Sequence, residues 1–227
     1  MKPTVCSTIV ILMTILNVSI IAQEQKVNVT LYYETLCPYA KKFVVSQLHP
    51  TLEEHLSKYV NLEIIPYGKA KTIYDGDKIT FTCQHGPSEC YGNQILGCAQ
   101  ILIDSGANSP NLGYNTKFLE FVYCLSDKIK SKATKSEVDE VVDRCASSES
   151  IGVTAEQLKQ CSTSKIGIQQ MVHNGKLTDK FQNPLKHMPT IVINGNFVPE
   201  ESSQAQENLL KLLCSKISGE KPDGCKK

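Results

Sequence analysis

The chain has 227 residues, a formal net charge of +1 and 41% hydrophobic residues, enough for one well-buried domain with length left for a targeting segment or an insertion. Its lysines and arginines are scattered, so no basic stripe exists to track phosphates and nucleic-acid binding has no electrostatic support.

Lys2 precedes an uncharged, mostly apolar run over residues 5–21 that ends at Ala22, the pattern of a secretory signal peptide over residues 1–22. The run is interrupted by Ser7, Thr8, Thr14, Asn17 and Ser19 and is shorter than the roughly 20 apolar residues of a spanning helix, so no membrane span is expected after cleavage. The remainder, 23–227, is expected to form a single domain in the secretory pathway. Its one sequon, Asn28-Val29-Thr30, makes Asn28 a candidate glycosylation site.

Lys26 to Glu34 (KVNVTLYYE) alternates apolar and polar residues and predicts a strand. Leu36-Cys37-Pro38 follows, and Pro38 suits the first turn of a helix whose apolar face carries Phe43, Val44 and Leu48. Val60 to Pro66 (VNLEIIP) predicts a second strand, which completes a βαβ unit and makes the fold α/β. From Cys90 to about Lys180 the pattern is helical, with apolar stripes Phe118, Val122, Leu125; Val138, Val141, Val142; and Ile166, Ile168, Met171, Val172. Those stripes read as core. Pro189 to Asn194 predicts a late strand, Gly195-Asn196 a hairpin turn, Phe197-Val198 a return strand, and Ser202 or Ser203 the cap of a last helix through Leu213.

Removing Cys6 with the signal leaves nine of the ten cysteines: Cys37, Cys83, Cys90, Cys98, Cys124, Cys145, Cys161, Cys214 and Cys225. In an oxidising compartment the simplest solution is four disulfides and one free or intermolecular thiol. Spacing suggests one local pair, Cys214 with Cys225, and leaves the other pairings open. Cys37 is the natural odd thiol. At a helix start, unpaired N–H groups and the helix dipole favour a thiolate and lower its pKa, which favours a reactive cysteine over one more half-cystine. His85 and His187 are the histidines placed to influence a thiolate, although single histidines more often serve packing or the surface. The Cys and His spacing lacks two clean CxxC or HxxxH pairs, so no metal is expected. Nothing in the sequence calls for a cofactor.

The run CQHGPSECYGNQILGC places Cys83, Gln84, His85, Gly86, Glu89, Cys90, Asn93 and Cys98 at fixed spacing. It resembles the signature of the gamma-interferon-inducible lysosomal thiol reductase (GILT) family. Tyr32-Tyr33-Glu34, Pro66-Tyr67-Gly68, Val192-Ile193-Asn194-Gly195 and Lys221-Pro222-Asp223-Gly224-Cys225 extend the resemblance over nearly all of the mature chain. It implies a disulfide-stapled thioredoxin-like fold with a helical insertion at about 90–180. It also implies a catalytic cysteine at Cys37 and a substrate groove at Met188, Pro189 and Thr190, with Pro189 cis.

Family members usually carry Cys-x-x-Cys after the first strand, whereas this chain has Cys37-Pro38-Tyr39-Ala40. Ala40 has no sulfur with which to resolve a mixed disulfide. The expected activity is therefore a monothiol oxidoreductase acting on protein disulfides through Cys37, in a lysosome or after export. The alternative is a redox-inactive secreted module that binds a protein partner on the same scaffold. The odd thiol also allows a disulfide-linked dimer beside a monomer.

Overall fold

The computed structural model describes residues 25–103 and 112–226, so the proposed signal peptide and Cys6 lie outside the described residues. Strand β1 (Val27–Tyr33) is the centre of a three-stranded sheet of order β2-β1-β5. Its alternation sorts side chains by face: Val27, Val29, Leu31 and Tyr33 enter the main core, while Tyr32 joins Ile65, Leu185 and Val192 in a smaller cluster opposite. Strand β2 (Val60–Pro66) runs parallel to β1, pairing Val27 with Val60 through Tyr33 with Pro66.

A parallel neighbour requires a crossover. It is supplied by α1 (Pro38–Phe43), a π-helical turn at Val44–Leu48, α2 (His49–Thr51) and a second π-helical turn at Leu52–Leu56. Phe43, Val44, Leu48, Leu52 and Leu56 are buried on this run and seat it against the sheet.

Between β2 and the helical block stands a hairpin that the sequence reading lacks, β3 (Lys71–Asp75) with β4 (Lys78–Thr82). Its turn passes through Gly76, whose φ of +53° favours glycine. The helices then follow as α3 (Pro87–Leu102), α4 (Thr116–Lys128), α5 (Lys135–Ala146), α6 (Ala155–Thr163) and α7 (Lys165–Phe181). Thr134 with Glu137 and Thr154 with Gln157 form capping boxes that start α5 and α6. Phe118, Val122 and Leu125, and Val138, Val141 and Val142, are buried as expected. Ile166 is not; it is 62% exposed, because the buried face of α7 runs through Gly167, Met171 and Asn174 instead. A Cβ at Gly167 would lie 2.3 Å from the Cys161 carbonyl oxygen, so glycine allows α7 to start tightly against α6.

Strand β5 (Thr190–Ile193) pairs antiparallel with β1 from Tyr32–Thr190 to Val29–Ile193. The expected return strand at Phe197-Val198 is absent. The chain turns through Asn194 and Gly195, makes a single bridge between Ile193 and Asn196, and enters α8 (Pro199–Lys216) directly. Phe197 instead packs edge-on to Phe181 at 5.4 Å between ring centroids. Neither Ser202 nor Ser203 caps α8, whose cap residue is Val198 with Pro199 at the first position. The Ser202 hydroxyl accepts the Ile191 N–H at 3.1 Å and ties α8 to β5. Inside α8 the backbone breaks from helical geometry at Asn208, and Gln47 Oε1 accepts the freed Leu209 N–H at 3.1 Å.

Four disulfides staple these elements. Cys98–Cys161 joins α3 to α6, Cys124–Cys145 joins α4 to α5, Cys214–Cys225 ties α8 to the C-terminal turn, and Cys83–Cys90 closes the loop before α3.

Candidate active site around Cys37

Cys37 is the one free cysteine among the described residues and occupies the cap position of α1. Its N–H donates to the Glu34 carbonyl at 3.4 Å and its carbonyl accepts the Lys41 N–H at 3.0 Å, so the loop from β1 closes straight into the helix. The cysteine is 5% exposed and Ala40, one turn on, is fully buried. Lys41 is buried beside them and donates through Nζ to the Ile129 carbonyl at 2.5 Å. Burial pulls the Lys41 pKa down, against the charge of Cys37.

The thiol corrects one expectation from sequence. Burial pushes its pKa above the ordinary value of 9.0, and the nearby carboxylates of Glu34 and Glu89 push the same way. The N–H groups of Ala40 and Tyr39 favour the thiolate, as a helix start should, but do not outweigh burial. The helix-start effect is present and loses.

The carboxylates come from the signature segment and from the end of β1. Gly86, at φ +87°, bends the chain into the start of α3. Glu89, fully buried in the first turn of α3, accepts the His85 N–H at 3.0 Å and faces His85 Nδ1 at 2.5 Å. Glu34 is also fully buried; its Oε1 accepts the Lys69 N–H at 2.6 Å and its Oε2 lies 3.9 Å from His85 Nδ1. Burial, reinforced by Glu89, lifts the Glu34 pKa from 4.5 to about 7, against the Lys69 N–H and the charges of His85 and Lys69.

Asn93 is the structural member of the signature. Its Oδ1 accepts the Thr35 N–H at 3.0 Å and the Thr35 hydroxyl at 2.7 Å, and its Nδ2 donates to the Tyr67 carbonyl at 3.4 Å. A Cβ at Gly92 would lie 2.6 Å from Thr35 Cγ2, so α3 can approach this loop only through glycine. Gly68 makes the same kind of room, since a Cβ there would meet Glu34 Cγ at 2.0 Å.

The structure thus brings Cys37, His85, Glu89 and Asn93 to one corner, and adds Thr35 and Gly92 together with Glu34 and Gly68, which the sequence motifs contain without assigning them a role. The shared motif Pro66-Tyr67-Gly68 could have signalled the turn that receives Glu34 and Asn93. Gln84 is exposed. Cys83 and Cys90 act as a structural ring around His85, and Cys98 lies further along α3 in its bridge to Cys161.

Pro189 is cis to Met188 and buried at the mouth of β5. Together with Tyr39, His187, Met188, Phe197 and Ser202 it lines a groove of about 440 Å³. Tyr39, two residues after Cys37, is 68% exposed on the rim. Thr190 faces inward and pairs with Tyr32. Asn28 is elsewhere, exposed on β1, where its Oδ1 accepts the Asn61 amide N–H at 2.7 Å. Among the described residues no helix is long and apolar enough to cross a membrane.

Comparison with known proteins adds to this geometry. Residues 28–149 match the family described as gamma interferon inducible lysosomal thiol reductase (GILT). GILT-like protein 1 of Drosophila melanogaster is 36% identical over 204 residues, covering 88% of this chain and 78% of that protein. The gamma-interferon-inducible lysosomal thiol reductase of Carassius auratus is 32% identical over 88% of this chain and 72% of its own. Among solved structures, Chlamydia trachomatis DsbA superposes with a TM-score of 0.57 at 14% identity, covering 86% of this chain and 90% of its own. Neisseria meningitidis DsbA1 gives 0.51 at 12% identity, over 85% and 84%. These structural matches establish a thioredoxin-like, DsbA-type fold with a helical insertion.

Proposed function

The chain belongs to the gamma-interferon-inducible lysosomal thiol reductase family, and we propose that it exchanges protein disulfides through Cys37 alone. The observation that carries this reading is that all other described cysteines are paired, which leaves one thiol, at the start of α1, two residues from the groove-lining Tyr39. The Cys37 thiolate attacks one sulfur of a substrate disulfide. That S–S bond breaks, a mixed disulfide forms on Cys37, and the other substrate sulfur leaves as a thiolate. Ala40 offers no second sulfur, so a low-molecular-weight thiol in the compartment attacks the substrate sulfur of the mixed disulfide. It becomes disulfide-linked to the substrate and returns the Cys37 thiolate. The names of the relatives support a lysosomal destination.

Insulin reduction with added low-molecular-weight thiol tests this. The wild-type chain is expected to turn over insulin faster than Cys37→Ser; equal rates would overturn the reading. A second reading, a redox-inactive module that binds a protein partner at the Pro189 groove, is favoured by the burial and raised pKa of Cys37. It predicts capture of the same partners by both forms. The burial of Cys37 also disfavours a dimer linked through it.

A further inference from the structure

We propose that Glu34, His85 and Glu89 form a binding site for one divalent transition-metal ion of the zinc class. Each residue offers one donor atom, and the three donors lie within 4.8 Å of one another. His85 Nδ1 is 2.5 Å from Glu89 Oε2 and 3.9 Å from Glu34 Oε2.

The decisive atom is Glu34 Oε2. It is buried, accepts no hydrogen bond, and points toward the imidazole. Buried carboxylate oxygens are costly without a donor or a cation, and this one has neither a protein donor nor solvent to serve it.

The surroundings have the form of an outer shell for such an ion. Each carboxylate is oriented by a backbone N–H on its Oε1, from Lys69 to Glu34 and from His85 to Glu89, and in each case Oε2 is the oxygen directed at the imidazole. The Cys83–Cys90 bridge closes a short ring that contains His85 and Glu89. Gly68 leaves the space that the Glu34 side chain fills.

The donor set selects the ion. One imidazole and two carboxylates suit zinc and its first-row neighbours, at about 2.0–2.2 Å from each donor. Calcium takes about six to eight oxygens and magnesium an octahedron of oxygens, which three donors including a nitrogen do not supply. Zinc would take the place of the hydrogen bond between His85 Nδ1 and Glu89 Oε2 and move those atoms apart. Glu34 directly follows β1, His85 lies just before α3 and Glu89 in its first turn, so the fold joins one ligand to a pair that lies 51 and 55 residues further along the chain.

The test is equilibrium dialysis of the disulfide-intact protein against zinc at neutral pH, with cobalt substitution as the spectroscopic readout. One zinc per chain is expected, retained in Cys37→Ser and weakened at least about tenfold in Glu34→Gln and in His85→Gln. His85 is partly exposed, so its variant tests the site even where Glu34→Gln folds poorly. The cobalt form is expected to lack a thiolate charge-transfer band. Absence of saturable binding, equal binding by His85→Gln, or loss of binding in Cys37→Ser would overturn the proposal.

Discussion

Asn93 Oδ1 accepts both the backbone N–H and the hydroxyl of Thr35, at 3.0 and 2.7 Å, across 58 residues of sequence. Through this pair the signature helix α3 holds the loop that presents Cys37, and Gly92 lets the helix come close enough to do so. Asn93→Ala removes the acceptor and leaves two buried donors unpaired. Each costs about 1–3 kcal/mol, so a loss of about 2–6 kcal/mol in unfolding free energy is expected by denaturant titration. Asn93→Asp keeps the acceptors but buries a charge. It too is expected to destabilise, which distinguishes a neutral clamp from a simple need for oxygen.

Cys37 titrates above the ordinary thiol value because burial and the Glu34 and Glu89 carboxylates oppose its ionisation. The thiolate is the reacting form, so iodoacetamide modification is expected to be slow at neutral pH and to accelerate up to and beyond pH 9. In Glu34→Gln one opposing charge is gone, and the profile should shift toward lower pH. Stopped reactions read by mass spectrometry, with chelator present throughout, check both. A profile centred below neutral pH, or one indifferent to Glu34, would contradict this electrostatic account.

The two main strands were legible because their patterns follow from burial. In β1 a complete inner face of Val27, Val29, Leu31 and Tyr33 produces the alternation, and in β2 a buried end at Ile64 and Ile65 accompanies it. The hairpin of β3 and β4 was not legible, since Ile73 and Tyr74 are exposed and Thr72, Ile79 and Phe81 only partly buried, so neither strand has a clean apolar face. Ser202 misled as a cap because its hydroxyl serves the Ile191 N–H in β5, a tertiary use that local sequence does not encode. At the site, the spacing of Glu89 and Asn93 marked them as a unit with His85. Their partners Glu34 and Thr35 directly follow β1; Glu34 belongs to a motif of the resemblance, but its place beside His85, like that of Thr35 beside Asn93, came only from the fold. The direction of the Cys37 pKa was hidden for a related reason: a helix start is a local feature of the sequence, whereas the burial that outweighs it is set by the fold.

The disulfides should differ in value. In the chain-entropy view a bridge stabilises by restricting the unfolded chain, and the restriction grows with the loop it closes. Cys98–Cys161 spans 63 residues and Cys83–Cys90 only 7, a difference of about 2 kcal/mol in favour of the long loop. Paired alanine substitutions measured by thermal unfolding should show the larger loss for Cys98 and Cys161. The shorter bridge is expected to matter more for His85 and Glu89, whose loop it closes, than for global stability.

Asp139 on α5 provides a pH-dependent contact that is separate from the active site. It accepts the Tyr91 hydroxyl of α3 at 2.6 Å and pairs with Lys135 at 2.9 Å. Partial burial raises its pKa, but the hydrogen bonds from Tyr91 and Lys135 and the charges of Lys135 and Lys159 outweigh that and leave it below the usual carboxylate range. A carboxylate whose folded pKa lies below its unfolded one contributes stability that is present above about pH 4 and is lost as pH falls through the folded value. Asp139→Asn should therefore be less stable than wild type at pH 6, by no more than about 1 kcal/mol given the solvent exposure of the pair. The gap should close as acid titration approaches pH 2, because the wild-type carboxyl is by then protonated. Urea titrations of the two proteins at pH 6 and at pH 2 measure it; a gap that persists unchanged at the lower pH would assign the loss to packing of Tyr91 against α5 instead of to charge.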